Sequence, residues 1–460
     1  MDPHVEIFKS SKTPWEVFQN VYFSSGTNCF FLDSPSYAPP DQTYSYIGAN
    51  PSFELRLDGD TLFLTEKKPR KFPARKLFPV LKRLFQKNRV RSQKLPFFAG
   101  GFVGYLGYEL ARFCDKIAFR QKRKQGIPDL HLGFFREVIV FDHKKQVYYL
   151  VTSYPRKPQA LKRYFQDLSQ TGEKPFQFKN FVPEISQKKF KDIVLQAKKY
   201  IAAGDIYQAN LSQRFRFDFS GSSLKLYGRL RAINPSPFAC FLKMNDLEII
   251  SCSPERLISK KGRECETRPI AGTCPAYGPV SRLKEWREKL LQNEKERAEH
   301  LMLVDLERND LGRVCDYESV RVNEFMVLEK YSHVVHIVSK ITGRLKKNKD
   351  AFDLIRAMFP GGTITGCPKI RCMQIIDELE PVRRGIYTGS VGYLSVQGDM
   401  DLNIAIRTLV LKKNKGYLQV GAGIVYDSDP EKEYEETLHK GEALVKALVE
   451  ASSGYEPKNF

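Results

Sequence analysis

"GAGIVYDSDPEKEYEETLHK", residues 421–440, reads as a strand end, a glycine turn and then a helix. Asp429 and Pro430 supply the helix start, and Leu438, Ala443, Leu444 and Leu448 recur as its apolar stripe. The same stretch places four glutamates within six positions of a chain whose formal net charge is +21. On the helix Glu433 and Glu436 are i,i+3 neighbours, with Lys440 one turn beyond Glu436. Two carboxylates converging beside a cation could form a hard-cation site next to an anionic ligand, or a plain Glu–Lys surface pair.

Outward from that stretch the pattern repeats. Helices such as "QKKFKDIVLQAKKYIAAGD" (187–205) alternate with strands such as "EIISCSPERLISKK" (248–261) and "GYLQVGAGIVY" (416–426). Residues 1–155 are mostly short strand-like runs, among them "CFFLDS" (29–34), "TYSYIG" (43–48) and "EVIVFDH" (137–143). A polar, lysine-rich stretch at 156–188 reads as a connector with one short helix, and 189–452 as the second, larger region. The whole is an α+β pattern.

Hydrophobic residues make up 42% of the 460 and aromatics 12%, a composition that folds around a core. No apolar run is long enough to span a membrane. Nine scattered cysteines, without a C-x-x-C pair, argue against structural zinc and disulfides and fit a reducing cytoplasm. The basic excess peaks at 67–94, with twelve Lys and Arg and no acid. There Phe72, Leu77, Phe78, Leu81, Leu84 and Phe85 recur at helical spacing, which favours an amphipathic helix with a basic outer face over a nucleic-acid-binding surface.

A long helix is expected over 287–313, with Ala298, Leu301, Met302 and Leu306 inward and Glu296 and Glu299 again at i,i+3. Two helices, each offering a carboxylate pair, would leave room for substrate oxygens around Mg²⁺. "FPGGTITGCPK" (359–369) can turn backbone N–H groups toward an anion, but lacks the order of a nucleotide-binding P-loop. "NIAIRTLVL" (403–411) alternates like a strand, and Arg407 interrupts it; a bidentate carboxylate or a structural ion pair would satisfy that guanidinium. Glu255, after Pro254, is a general-acid candidate or a turn-capping carboxylate. His336 alone would read as structural.

Taken in order, "SPERL", "RPIAGT", "AEHLMLVDLERNDLGRV", "FPGGTITGCPKIRCMQIIDELEP", "GSVGYLS", "NIAIRTL" and "GAGIVYDSDPEKEYEETLHK" resemble the chorismate-utilising enzymes: the first components of anthranilate and aminodeoxychorismate synthases, and the isochorismate and salicylate synthases. The resemblance covers nearly all of 190–450 and extends more weakly through "YSYIGANP", "FAGGFVGYLGYE" and "IPDLHLGFF". It implies a large two-sheet antiparallel β core flanked by helices, with N- and C-terminal portions intertwined.

By position, the resemblance makes Glu299 and Glu436 direct Mg²⁺ ligands, supported by Glu296 and Glu433. It gives Arg407, Tyr387 and the Gly421 and Gly423 backbone to a substrate carboxylate, with Lys440 nearby. Glu255 matches the general acid, His336 an active-site histidine, and Thr363 the substrate loop. Family members that add water carry a lysine where this chain has Gln208, and glutamine is no base, so ammonia is the expected nucleophile. Three motifs ("YQANLSQRF", "NPSPFACFL", "FPGGTITG") resemble aminodeoxychorismate synthase; Ala271, where many of those carry a lysine, leaves anthranilate synthase as the alternative. No G-x-C-x-G nucleophile motif occurs, so glutamine as ammonia source would require a separate amidotransferase subunit in a heterodimer. Asp33 and Ser34 resemble part of a tryptophan pocket, with Asp33 in place of Glu, which argues against tryptophan feedback.

Overall fold

The apolar runs of the two halves of the chain pair with each other. In the computed structural model, which describes residues 3–452 apart from 27, 35–42, 91–94, 116, 121–125, 154–156, 168–173 and 332–333, strand Asn28–Asp33 lies antiparallel to Phe238–Met244. In a second sheet Gly101–Leu106 lies antiparallel to Ser390–Ser395. Among the described residues each sheet has 12 strands, a block from the N-terminal part of the chain joined edge to edge to a block from the rest. The end of the basic run, 91–94, and part of the expected connector, 168–173, lie outside the described residues.

Period-two patterning turns each strand's two faces to different cores. In Asn28–Asp33, Phe30 joins Val103, Phe135, Val140 and Val391 in a cluster between the sheets, while Phe31 packs outward with Phe18, Tyr227, Leu444 and Leu448. In Gly101–Leu106, Val103 faces the other sheet and Phe102 packs outward with Leu81, Val304 and Phe352. The layers therefore run helix, sheet, sheet, helix. The helix Pro430–Ala451 covers the first sheet, and Leu77–Asn88 and Glu294–Gly312 cover the second.

Four sequence expectations change in detail. The basic run is helical only over Leu77–Asn88; Phe72 belongs to the outer strand Arg70–Pro73 of the second sheet. Within 156–188, Gln177–Pro183 forms the outer strand of the first sheet beside Gln208–Ser220. The long helix is two, Val280–Gln292 and Glu294–Gly312, because Asn293 leaves helical geometry and caps the second through the Glu296 N–H. Its inward face carries His300, Leu303, Val304, Leu306, Glu307, Asp310 and Leu311, while Leu301 is 47% exposed. Polar residues on the buried stripe displaced the apolar periodicity toward Ala298, Leu301 and Met302. Finally, "NIAIRTLVL" is not one strand: Met400–Asn403 belongs to the second sheet and Thr408–Lys412 to the first.

Candidate active site

The chain crosses between the sheets twice at one place. Leu247–Ser253 lies in the first sheet and Arg256–Lys261 in the second, so Pro254 and Glu255 make one crossing; residues 404–407 make the other. The crossings are bonded together: the Ile404 N–H donates to the Glu255 carbonyl at 3.0 Å, and Ser253 Oγ donates to the Ile404 carbonyl at 2.6 Å. Glu255 and Arg407 thus leave ladder positions in which their side chains would be committed to a sheet face. Arg407 adopts a left-handed φ of 49°, a conformation a non-glycine residue keeps only where its surroundings impose it.

Glu255 is buried, and its Oε1 has no hydrogen-bond partner among the described residues. Burial pushes its carboxyl up to about 7, against weaker pulls from the Thr363 hydroxyl, the Ile270 backbone and Lys440. Thr363 Oγ1 is itself buried and makes no well-formed bond, so its influence on Glu255 comes from proximity rather than a closed hydrogen bond. A carboxyl poised near neutrality can hold a proton and give it up.

His336, on strand Val334–Arg344, brings Nδ1 within 2.9 Å of the Gly272 carbonyl and 3.0 Å of Thr273 Oγ1. A carbonyl only accepts, so Nδ1 carries the hydrogen and Nε2 keeps its lone pair. Burial lowers this imidazole to about 4, which keeps the ring neutral. Ala271 lies opposite Ile337 on the adjoining strand Ile270–Pro275 and offers only a methyl.

The two carboxylate pairs come from facing helices. Glu296 and Glu299 follow the Asn293 cap, and Glu433 and Glu436 follow the Asp429 cap. Gln208 Nε2 donates to Glu299 Oε1 at 2.6 Å, which leaves Gln208 Oε1 buried without a partner among the described residues. The strand Lys415–Ile424 passes close by: a Cβ on Gly423 would stand 2.5 Å from Gln208 Nε2 and 3.5 Å from Glu299 Oε1. A Cβ on Gly421 would meet the Leu211 carbonyl and the Tyr387 hydroxyl, both at 2.6 Å, and Asn210 Oδ1 at 3.0 Å, so glycine is required there, whereas at Gly423 a side chain would displace the Gln208 amide. Lys440 Nζ is 2.7 Å from Glu436 Oε1 and donates to the Gly421 carbonyl at 3.1 Å.

The carboxylates of Glu296, Glu299 and Glu433 are all held above their usual range, first by burial and then by the negative charge of Glu436 among others. Ser428 Oγ donates to Glu433 Oε1 at 2.6 Å, while Glu433 Oε2 is buried without a partner among the described residues. Among the described residues Lys440 is the one cation that bonds any of the four, and no three His, Cys, Asp or Glu side chains stand close enough to grip a metal ion as they are. Four crowded acids with an orphaned oxygen and one lysine are nevertheless a donor set whose chemistry fits a hard divalent cation.

Arg407 pairs with no carboxylate among the described residues, though burial disfavours its charge. Tyr387, buried beside it, supplies a hydroxyl at the same end of the site. The residues expected at the site, Gln208, Glu255, Ala271, Glu296, Glu299, His336, Thr363, Tyr387, Arg407, Gly421, Gly423, Glu433, Glu436 and Lys440, therefore gather around the double crossing and the two helix starts. Asn210 and Ser428 join them unforeseen. Asp33 and Ser34, likened to part of a tryptophan pocket, line a separate cavity of about 300 Å³ between the sheets, with Tyr44, Phe238 and Asn403. Asp33 Oδ2 is already occupied there, by Arg231 Nε at 2.8 Å and the Tyr227 hydroxyl at 3.2 Å.

The family of chorismate binding enzymes matches residues 27–446. Anthranilate synthase component 1 of Aquifex aeolicus is 40% identical over 98% of this chain and 95% of its own. Aminodeoxychorismate synthase component 1 of Bacillus subtilis is 43% identical over 78% of each. Among solved structures, anthranilate synthase component I from Streptococcus pneumoniae is 36% identical with a TM-score of 0.76, covering 87% of this chain and 92% of that one. The menaquinone-specific isochorismate synthase of Escherichia coli, at 16% identity and a TM-score of 0.73 over 97% of this chain and 94% of its own, shares the fold. The chain belongs to the chorismate binding enzyme family. It is a chorismate-utilising enzyme whose two-sheet core is that of the family.

Proposed function

We propose that this enzyme aminates chorismate at C4, as the first component of an aminodeoxychorismate synthase. The observation that carries amination is Gln208. Its amide hydrogens face Glu299 and its buried oxygen is unpartnered; an acceptor that cannot take a proton suits a nucleophile that brings its own N–H groups. Arg407, the Tyr387 hydroxyl and the Gly421–Gly423 backbone hold the enolpyruvyl carboxylate, with Lys440 beside them. Glu299 and Glu436, supported by Glu296 and Glu433, would hold Mg²⁺. Such an ion would supply positive charge to hold and neutralise the ring carboxylate.

Glu255 delivers its proton to the C4 hydroxyl, which leaves as water. Ammonia forms the new C–N bond, and its surplus proton restores the acid. His336, neutral with a free Nε2, accepts a hydrogen bond from the substrate rather than adding charge. Because the chain carries no glutaminase motif, a separate amidotransferase subunit supplies the ammonia from glutamine in the cytoplasm.

The choice of C4 rests on the motifs at 207–215, 234–242 and 359–366. Ala271 and the near-full-length likeness to an anthranilate synthase favour the second reading, amination at C2 with loss of pyruvate. Purified protein given chorismate, Mg²⁺ and an ammonium salt, with and without aminodeoxychorismate lyase, separates the two. 4-Aminobenzoate formed only with the lyase supports the proposal; anthranilate without it assigns the second reading.

A further inference from the structure

Glu307 lies further along the helix that carries Glu296 and Glu299, and has no part in the chemistry above. It is buried, and its Oε2 stands 2.5 Å from Thr267 Oγ1. That hydroxyl is in turn 3.0 Å from the Leu257 carbonyl. Leu257 is no ordinary strand residue: Arg256 pairs with Asn403 and Ile258 with Leu402, so Leu257 is the extra residue of a β-bulge. Bulges re-aim the side chains beside them, and the side chain aimed here, two residues earlier, is Glu255.

The hydrogen inventory sets the direction of this chain. A carbonyl only accepts, and a threonine hydroxyl has one hydrogen to give. Each contact has a hydrogen of its own only if Thr267 donates to Leu257 and Glu307 donates to Thr267, which requires a proton on Glu307; with Glu307 ionised the two acceptors compete for the single Thr267 hydrogen.

We propose that Glu307 is a positioning residue for Glu255: as a neutral carboxylic acid it donates to Thr267, which holds the Leu257 bulge and so the aim of the acid. This rests on the reading of Glu255 given above. The charged and titratable groups facing Glu307 are Glu255 from the sheet crossing, Asp310 from its own helix and Lys369 from the start of Lys369–Leu379. Burial pushes Glu307 up to about 8; Glu255 and Asp310 add to that, while Thr267 and Lys369 oppose it. Lys369 is itself committed to Asp310 and to the Met358 and Pro360 carbonyls. When Glu307 loses its proton, the Thr267 hydrogen turns to the carboxylate, the Leu257 carbonyl is released and a second negative charge faces Glu255.

Two measurements on the full chain test this. The first is thermal unfolding of wild type and Glu307→Gln from pH 5 to 9. A carboxyl raised from 4.5 to about 8 on folding contributes stability that is fully present below the unfolded value and lost as pH rises through the folded one. Glutamine cannot titrate, so its Tm relative to wild type climbs across this range. The second is kcat on chorismate at fixed free ammonia. The ratio of Glu307→Gln to wild type rises several-fold from pH 7 to 9, while Glu307→Leu, which has no donor, loses about ten- to a hundred-fold at pH 7 and less at pH 9, where wild type has lost its donor too. Turnover by wild type with flat Tm and kcat ratios, or a Glu307→Leu variant as fast as wild type, overturns the role of Glu307 alone. No turnover of chorismate by wild type at any pH overturns the reading of the site and the positioning role with it.

Discussion

Gln208 and Glu299, 91 residues apart in sequence, are joined by a 2.6 Å hydrogen bond that turns the amide hydrogens toward the carboxylate and the amide oxygen away from it. That oxygen is buried and unpartnered, a state that costs roughly 1–3 kcal/mol until something donates to it. Bound ammonia is the donor the site is proposed to receive. Gln208→Leu should therefore raise the KM for ammonia more than the KM for chorismate, with kcat/KM for ammonia falling about tenfold, since one such bond is worth about 1–1.5 kcal/mol. Initial rates against ammonium concentration at saturating chorismate check this; equal effects on the two substrates would show that Gln208 merely packs.

Glu255 makes a second prediction, about pH. It works as an acid only while protonated, and its carboxyl sits at about 7 because it is buried. In the free enzyme kcat/KM for chorismate should be level below that value and fall as pH rises through it. The profile must be taken at constant free ammonia, because ammonia itself gains from rising pH. Glu255→Gln should cost about 10²–10⁴-fold in kcat and abolish the titration. An unchanged profile in that variant would reassign the acid.

The strand and helix of 421–440 were legible because their signals are local: the glycines, the Asp429 cap and the apolar spacing all lie within a few residues of what they decide. The sites of Glu255 and Arg407 were not legible in the same way. "EIISCSPERLISKK" and "NIAIRTLVL" each look like continuous strands, and only pairing with distant partners shows that each changes sheet midway. The helix over 294–312 misled for a different reason. His300, Glu307 and Asp310 are buried, so the inward stripe is partly polar and the apolar period pointed a face away from it. Asp33 shows a third limit: its occupant, Arg231, is 198 residues further on, and no spacing rule reaches that far. The family resemblance supplied the site residues that periodicity could not, but it named neither Asn210 nor Ser428.

The crowding of Glu296, Glu299, Glu433 and Glu436 leads to a prediction about the metal. Glu433 keeps one oxygen on Ser428 and, among the described residues, leaves the other buried and unpartnered, which supports the proposal that it backs a cation rather than a surface pair. Removal of divalent ions with a chelator should abolish turnover, and Mg²⁺ should restore it. Glu433→Ala should raise the Mg²⁺ concentration for half-maximal rate by about 10–100-fold, the usual cost of losing an outer-shell partner. Because it also removes a negative charge held against like charges, the variant should melt no lower than wild type in the absence of metal. A Mg²⁺ requirement unchanged by this substitution would take Glu433 out of the metal site.

Stability should hinge on a residue that touches no substrate. Arg384 and Glu380 form a fully buried pair, Nη2 to Oε1 at 2.7 Å and Nε to Oε2 at 3.0 Å. The same guanidinium donates to the carbonyls of Ile364, on the Thr363 loop, and of Asn210, on the Gln208 strand. Glu380 in turn accepts from the Ser212 N–H and hydroxyl, both at 2.8 Å. Arg384 thus fastens two walls of the site to one buried charge. Arg384→Met keeps most of the volume but strands the carboxylate and two carbonyls, a change expected to cost about 3–5 kcal/mol. Replacing both partners, Arg384→Met with Glu380→Leu, removes the stranded charge and should recover more than half of that loss. Urea unfolding of the single and double variants measures both figures. A double variant no more stable than Arg384→Met would mean that the lost carbonyl bonds and the Ser212 donors stranded by Glu380→Leu, rather than the uncompensated carboxylate, carry the cost.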